Sequence, residues 1–335
     1  MNKITAGMGF LGLAASTKIV FTEMPPSIPG NFTTYQYDMD TKHLSTIATG
    51  AEGSYTAWDF LSGAAVCGNT YYAAIDDSII DWGLTAISME TGDVRLWNSK
   101  LMPTTNLLHN LWCDPSGDDG SLLSVQSTTN GAATFGLYSV HVNGNKVTQE
   151  KIGDFPPLTD ENSFVGFDTE FQATPDRSQV WGNFGSNTAN SRMESGNLHI
   201  MNTKTGSIQS YSYGQISAYP YTTAPLSENE NEPFLTVVNN NGNMFKGQGS
   251  LKGDSVSISN SEDGSGLYTG SQPWTVDAGA NKIYAITKKG STPDEAQYLD
   301  IINAKTGDIE QSLDFRDIMG KEKCSGCGVG GLALL

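Results

Sequence analysis

Short apolar runs alternate with polar turns along most of the chain, and the alternation itself recurs. Asn202-Thr-Lys-Thr-Gly-Ser-Ile208, Asn303-Ala-Lys-Thr-Gly-Asp-Ile309 and Ser88-Met-Glu-Thr-Gly-Asp-Val94 are close copies of one turn. Asp38-Met-Asp-Thr-Lys-His-Leu44 is a degenerate copy, and Val142-Asn-Gly-Asn-Lys-Val147 and Leu251-Lys-Gly-Asp-Ser-Val256 are shorter ones. β-type runs flank each, as at 198–201 and 208–211. A Gly or Asn able to take a positive φ between two such runs marks a hairpin, so six hairpins are expected.

A second series keeps step with the first. Lys18, Thr70, Ser121, Gln179, Pro233 and Lys282 each open an apolar run after a turn, at separations of 52, 51, 58, 54 and 49 residues. A further strand ending in a turn precedes each run, as at 272–278 and 171–176, so one period holds four strands of an antiparallel sheet. Four-stranded units repeating at about 40 to 50 residues are the mark of a β-propeller, whose blades bury both faces against their neighbours. Six periods predict six blades. Helical periodicity is confined to one turn at 314–319, which argues against bundles and doubly wound folds.

On these repeats the sequence resembles the β-propeller superfamily, of the six-bladed, TolB-like kind. The expected fold is therefore all-β: a six-bladed β-propeller of four-stranded antiparallel blades, one domain over 1–335, with the ring closed by a terminal strand. The C-terminal Gly328-Val-Gly-Gly-Leu-Ala-Leu-Leu335 falls where a further innermost strand would begin, and it resembles Gly7-Met-Gly-Phe-Leu-Gly-Leu-Ala14. Residues 1–16 read either as a signal peptide, with a basic start, an apolar run and small residues after it, or as the first inner strand. The Gly-His and Trp-Asp pairs of WD40 repeats do not occur at the repeat positions, and no narrower family emerges.

Charge narrows the partners. The 36 acidic against 19 basic residues give −17, which opposes nucleic acid, because affinity for a polyanion comes from neutralising its phosphates. No run reaches the roughly 18 apolar residues of a membrane span, so membrane insertion is not expected. A secreted or extracytoplasmic location is expected if 1–16 is a signal, with a cytoplasmic one as the alternative; Asn31-Phe-Thr33 is a glycosylation sequon in keeping with secretion. Cys67 and Cys113 hold near-equivalent inner-strand positions in adjacent blades and read as a bridge or as two buried thiols. Cys324 and Cys327 read as a local disulfide pinning the closing strand, or in a reducing compartment as a redox pair.

Candidate chemistry converges where inner strands begin. Trp58, Asp59, His109, Asn110, Tyr219, Tyr221 and Trp274 are the candidate ligand-binding residues, and Asn106 and Gln272 stand beside them. Tyr and Trp at a channel mouth can stack on sugar faces or hold a cation. Asp59, Asn110, Asp168 and Glu170 could together offer oxygens to calcium, a cluster that would polarise a substrate and orient a water. His109 is the one histidine placed to act as a general base. Two functions follow: a noncatalytic recognition module for a protein or carbohydrate ligand at one face or the central funnel, or a calcium-dependent hydrolase or lactonase working in the channel. Two polar loops, 184–197 and 225–232, read as further binding surfaces.

Overall fold

The computed structural model describes residues 17–24, 32–50, 63–77, 81–98, 102, 106–115, 120–127, 134–156, 171–187, 193–214, 218–240, 243–263, 274–288, 297–320 and 328–335. Within them the predicted hairpins appear at the predicted places. The strands are β1 (Lys18–Met24), β2 (Thr33–Asp38) and β3 (His43–Thr49); β4 (Ala64–Cys67), β5 (Thr70–Asp77), β6 (Asp81–Ser88) and β7 (Val94–Asn98); β8 (Leu107–Cys113), β9 (Ser121–Ser127), β10 (Phe135–Asn143) and β11 (Lys146–Asp154). They continue as β12 (Phe171–Ala173), β13 (Gln179–Asn187), β14 (Met193–Asn202) and β15 (Ile208–Ser212); β16 (Ala218–Ala224), β17 (Phe234–Asn240), β18 (Asn243–Lys252) and β19 (Ser255–Asp263); β20 (Trp274–Asp277), β21 (Lys282–Lys288), β22 (Gln297–Asn303) and β23 (Ile309–Asp314). A single-turn helix, α1 (Phe315–Met319), capped by Asp314 through the amide of Arg316, leads toward β24 (Gly328–Leu334). Five of the six expected second-strand starts are the first residues of β1, β5, β9, β13 and β21; the sixth strand begins at Phe234 because Pro233 has no amide hydrogen to give the ladder.

The strands form four-stranded antiparallel meanders. Four are separate sheets, ordered β24-β1-β2-β3, β4 to β7, β8 to β11 and β20 to β23. The eight-stranded sheet is two further meanders, β12 to β15 and β16 to β19, joined at a single parallel bridge from Ser212 to Ser255. The C-terminal strand completes the sheet that the N-terminal part of the chain begins, with Ile19 opposite Leu334 and Val20 opposite Ala333. Of the two glycine-rich segments, 328–335 thus holds the inner position beside β1, while residues 1–16 lie outside the described residues.

Both faces of the inner strands are buried, as in β9, whereas outermost strands such as β23 are largely exposed, which is why the inner ones read as unbroken apolar runs. On β1, Ile19 and Phe21 pack with Tyr284, Ile286, Leu299 and Ile301, while Val20, on the other face, packs with Tyr71, Ala73 and Ile87. Six hydrophobic clusters among the described residues fall between successive meanders, and one of them joins β21 and β22 to β1 and β24. Phe135, Phe155, Phe171 and Phe184 form the densest of these contacts, with ring centroids 5.1 to 5.9 Å apart. The fully buried Tyr71 donates its hydroxyl hydrogen to the Gly331 carbonyl at 2.6 Å, tying β5 to β24 across a sheet boundary.

The repeated turn does more than reverse the chain. Asn202 Oδ1 accepts from the amides of Lys204 and Thr205, and Asn303 Oδ1 from those of Lys305 and Thr306, which closes the loop locally. Gly206 follows at φ 68°, and a Cβ there would stand 2.3 Å from the Ile152 carbonyl oxygen of the preceding meander. Gly92 is placed likewise, 2.5 Å from the Ile47 carbonyl oxygen. The glycine of the motif is therefore also a contact between neighbouring sheets; the degenerate copy carries Lys42 at φ 55° instead. Gly206→Ala should lower stability by about 2 to 4 kcal/mol, summing roughly 1 for a left-handed alanine with 1 to 3 for the backbone shift. Chemical denaturation checks this, and an unchanged midpoint would refute the contact.

The polar 184–197 stretch departs from its sequence reading. β13 runs to Asn187 and β14 begins at Met193, with Phe184 opposite Asn197 and Ser186 opposite Ser195, so these small polar residues extend a ladder. The 225–232 segment is anchored: Glu230 accepts from Gln179 Nε2 at 2.8 Å and from the Tyr211 hydroxyl at 3.0 Å.

Candidate functional site: a cavity among the inner strands

Each of β4, β8, β12, β20 and β24 is the first strand of its meander, and together they wall a cavity of about 90 Å³. The walls are residues 63–66, 110–113, 172–173, 177, 274–276 and 332–334. Small side chains let the strands converge. At Gly63 a Cβ would stand 2.5 Å from the Asn110 Cα, so β4 and β8 approach as closely as a glycine allows. The Cys67–Cys113 disulfide joins the same two strands, with Cα atoms 5.5 Å apart, resolving the alternative left open by their spacing in favour of a bridge.

Polar groups in this wall lack internal partners. Trp274 is 6% exposed, and among the described residues its indole Nε1–H has no acceptor. Gln172 is 4% exposed, and among the described residues neither its amide nor that of Asn110 makes a side-chain hydrogen bond. Buried polar groups in native proteins are almost always paired, so an unpaired set around one cavity calls for a physical reason. The single charged residue among the described lining residues is Arg177, in a chain whose net charge is −17. Its Nη1 donates to the Thr174 carbonyl at 3.1 Å, and among the described residues it makes no ion pair. Burial lowers the guanidinium's pKa, with the adjacent Asp176 acting in the opposite sense.

Arg177 sits at φ 63° in the turn from β12 to β13. The corresponding turn carries Gly68 at φ 58° between β4 and β5 and Asn281 at φ 54° between β20 and β21. Glycine and asparagine occupy that conformation readily; a long basic side chain does so rarely. Arg177 and Gln172 were not among the sequence candidates, which were sought where inner strands begin. The available signal was an arginine standing where sister turns hold Gly or Asn.

The structure disperses the sequence candidates. Asn110 and Trp274 meet in the cavity. His109, their neighbour in sequence, does not line it: Nε2 lies 2.7 Å from the Ser127 hydroxyl and the ring packs 5.3 Å from Phe135. Burial pushes this imidazole down to about 4, which keeps it neutral at physiological pH. Asn106 donates to the Tyr138 hydroxyl at 3.0 Å. Tyr219 and Tyr221 are on β16, the first strand of its meander, with a register shift between Pro220 and Thr222. Trp58, Asp59, Asp168, Glu170, Gln272, Cys324 and Cys327 lie outside the described residues, so Asn110 is the one described member of the predicted calcium set. Among the described residues no group of three or more His, Cys, Asp or Glu could hold a metal ion.

A set of four-stranded antiparallel meanders with their first strands around a polar cavity defines the β-propeller class, and structural comparison agrees, with TolB among the similar structures. The chain is similar to TolB from Acinetobacter baumannii, with a TM-score of 0.57 and 14% identity over 95% of this chain and 66% of that one. It therefore spans just under two thirds of the TolB length. It is also similar to a hypothetical selenium-binding protein from Sulfolobus tokodaii, with a TM-score of 0.54 and 9% identity over 96% of this chain and 94% of that one. No family model matches the sequence, and no curated protein matches it. At these identities the likeness is one of fold.

Proposed function

We propose that the chain is a six-bladed propeller closed by β24 and that it serves as a noncatalytic recognition module, taking a protein or glycan ligand at the cavity among its inner strands. Support for six blades comes from the six interfacial clusters, one of them between the last meander and the first. The observation that carries the recognition reading is the unpartnered polar wall, Trp274 Nε1 above all. The described lining residues include no carboxylate, histidine or free thiol, a composition suited to holding a ligand. Trp112 and Trp274 add aromatic surface of the kind that packs against sugar rings.

The Cys67–Cys113 bridge favours an oxidising compartment, and we place the protein outside the cytoplasm. No helix among the described residues is long and apolar enough to cross a membrane. The calcium-dependent hydrolase remains the competing reading, because Asn110 faces the cavity as that cluster would require.

Tryptophan emission titrated with a panel of oligosaccharides and short peptides, alongside calcium calorimetry, separates the two. The recognition reading expects a saturable emission change that Trp274→Phe weakens, and no stoichiometric calcium heat. One calcium per chain, lost in the Asn110→Ala, Asp168→Ala double variant, would overturn it.

A further inference from the structure

We infer that the cavity selects a small hydroxylated carboxylate, with Arg177 receiving the carboxylate and Trp274, Gln172 and Asn110 receiving the hydroxyls and remaining oxygen; this rests on the recognition reading. The charge argument comes first. A half-buried guanidinium that lines the cavity and makes no ion pair within the described chain can take its counterion from a ligand anion. Arg177 uses Nη1 on the Thr174 carbonyl, which leaves its other N–H groups for a planar acceptor, and a carboxylate matches that fork. One cation among the described lining residues balances one negative charge, which favours a monoanion over a doubly charged phosphate.

The neutral groups set the rest of the ligand. Trp274 Nε1–H can only donate, whereas the amides of Gln172 and Asn110 can each donate and accept. Hydroxyl groups are the partners that satisfy amides in both senses, and a purely aliphatic acid would leave the buried Trp274 Nε1–H unpaired. Size gives the scale. At about 10 to 15 Å³ for each water-sized position, 90 Å³ holds roughly six to nine such positions, the dimension of a three- or four-carbon hydroxy acid or of the acid end of a sugar.

The test is a titration of the full chain, read by tryptophan emission and thermal shift, with glycerate, glucuronate, glyceramide, glycerol and inorganic phosphate as probes. Glycerate should bind saturably and raise the melting temperature, while glyceramide and glycerol should bind at least about tenfold more weakly, the scale of one charge-assisted hydrogen bond. Arg177→Gln should remove the preference for acid over amide, and Trp274→Phe, which keeps an aromatic ring but loses the indole N–H, should weaken every hydroxylated probe. Glycerate binding with no response to glucuronate identifies a free short acid as the source; glucuronate binding more tightly identifies an acidic sugar. Equal binding of glyceramide and glycerate, tighter binding of phosphate, or an acid preference unchanged in Arg177→Gln overturns the inference. If no acid binds but neutral saccharides still do, the carboxylate assignment fails and recognition at the cavity stands. If nothing binds and neither variant changes any titration, both fail.

Discussion

A chain ending at Cys327, and so lacking β24, should lose its cooperative thermal transition. Val329, Leu332 and Ala333 are each no more than 3% exposed, and burying the two larger ones contributes about 1.5 to 3 kcal/mol apiece. Their removal would also take the Gly331 carbonyl from Tyr71 and the Val329 peptide group from Gln297, whose side chain donates to its carbonyl at 3.3 Å and accepts from its amide at 2.6 Å. Each buried group left unpaired adds about 1 to 3 kcal/mol. The sum is comparable with the whole stability of an ordinary domain, about 5 to 15 kcal/mol. Circular dichroism melting with size-exclusion chromatography reads the result. A truncated monomer that melts within a few degrees of the full chain would show that β24 is an accessory.

The disulfide should carry the second largest effect. Cys67 and Cys113 are 46 residues apart, and closing a loop of that length removes about 4 kcal/mol of entropy from the unfolded chain in the loop-closure model. The Cys67→Ala, Cys113→Ala double variant, and wild type under reductant, should both fall by roughly 3 to 4 kcal/mol in denaturant titrations. Agreement between the two assigns the loss to the bond rather than to the substituted side chains. Identical midpoints for oxidised and reduced wild type would contradict the assignment. Because the bridge ties β4 to β8 beside the cavity, ligand affinity should fall with it even where the protein stays folded.

What could be read from the sequence follows from which interactions are local. The Asn-Thr-Lys-Thr-Gly turn carries its own geometry: Asn202 and Asn303 close it with their side chains, and Gly206 and Gly307 take the positive φ it needs. Five of the six second-strand starts could therefore be placed to the residue, the exception being the proline offset at Phe234. The Ile19-Val20-Phe21 run announced burial on both faces, and the two faces do bury against different sheets.

The site was less accessible, because it depends on which side chains from strands some fifty residues apart turn toward one space. Asn110 and Trp274, chosen by strand position alone, both line the cavity. His109 was drawn in with Asn110, but adjacent residues of a strand face opposite sides, and the register shift in β8 between Leu108 and Asn110 leaves His109 without a ladder partner on β9. Its ring lies beside Ser127 and Phe135, outside the cavity lining. Arg177 and Gln172 stayed hidden because nothing local marks a side chain as lacking a partner; that property exists only once the inner strands have been brought together. The glycines were readable as turn residues, whereas the second role of Gly206, contact with the Ile152 carbonyl, required the neighbouring sheet.

The cavity has its Leu332–Leu334 wall only if β24 is seated beside β1, so the state of that strand decides both the ring and the site. Hydrogen exchange on the intact oxidised chain measures it directly, comparing a peptide covering 328–335 with one covering β9, whose seven residues are all buried. A strand that clasps the ring should open only with the molecule as a whole, so its amides should exchange as slowly as those of β9. Exchange at the rate of a frayed terminus, with β9 still protected, would mean that β24 does not close the structure and that the account of the propeller and its cavity is wrong.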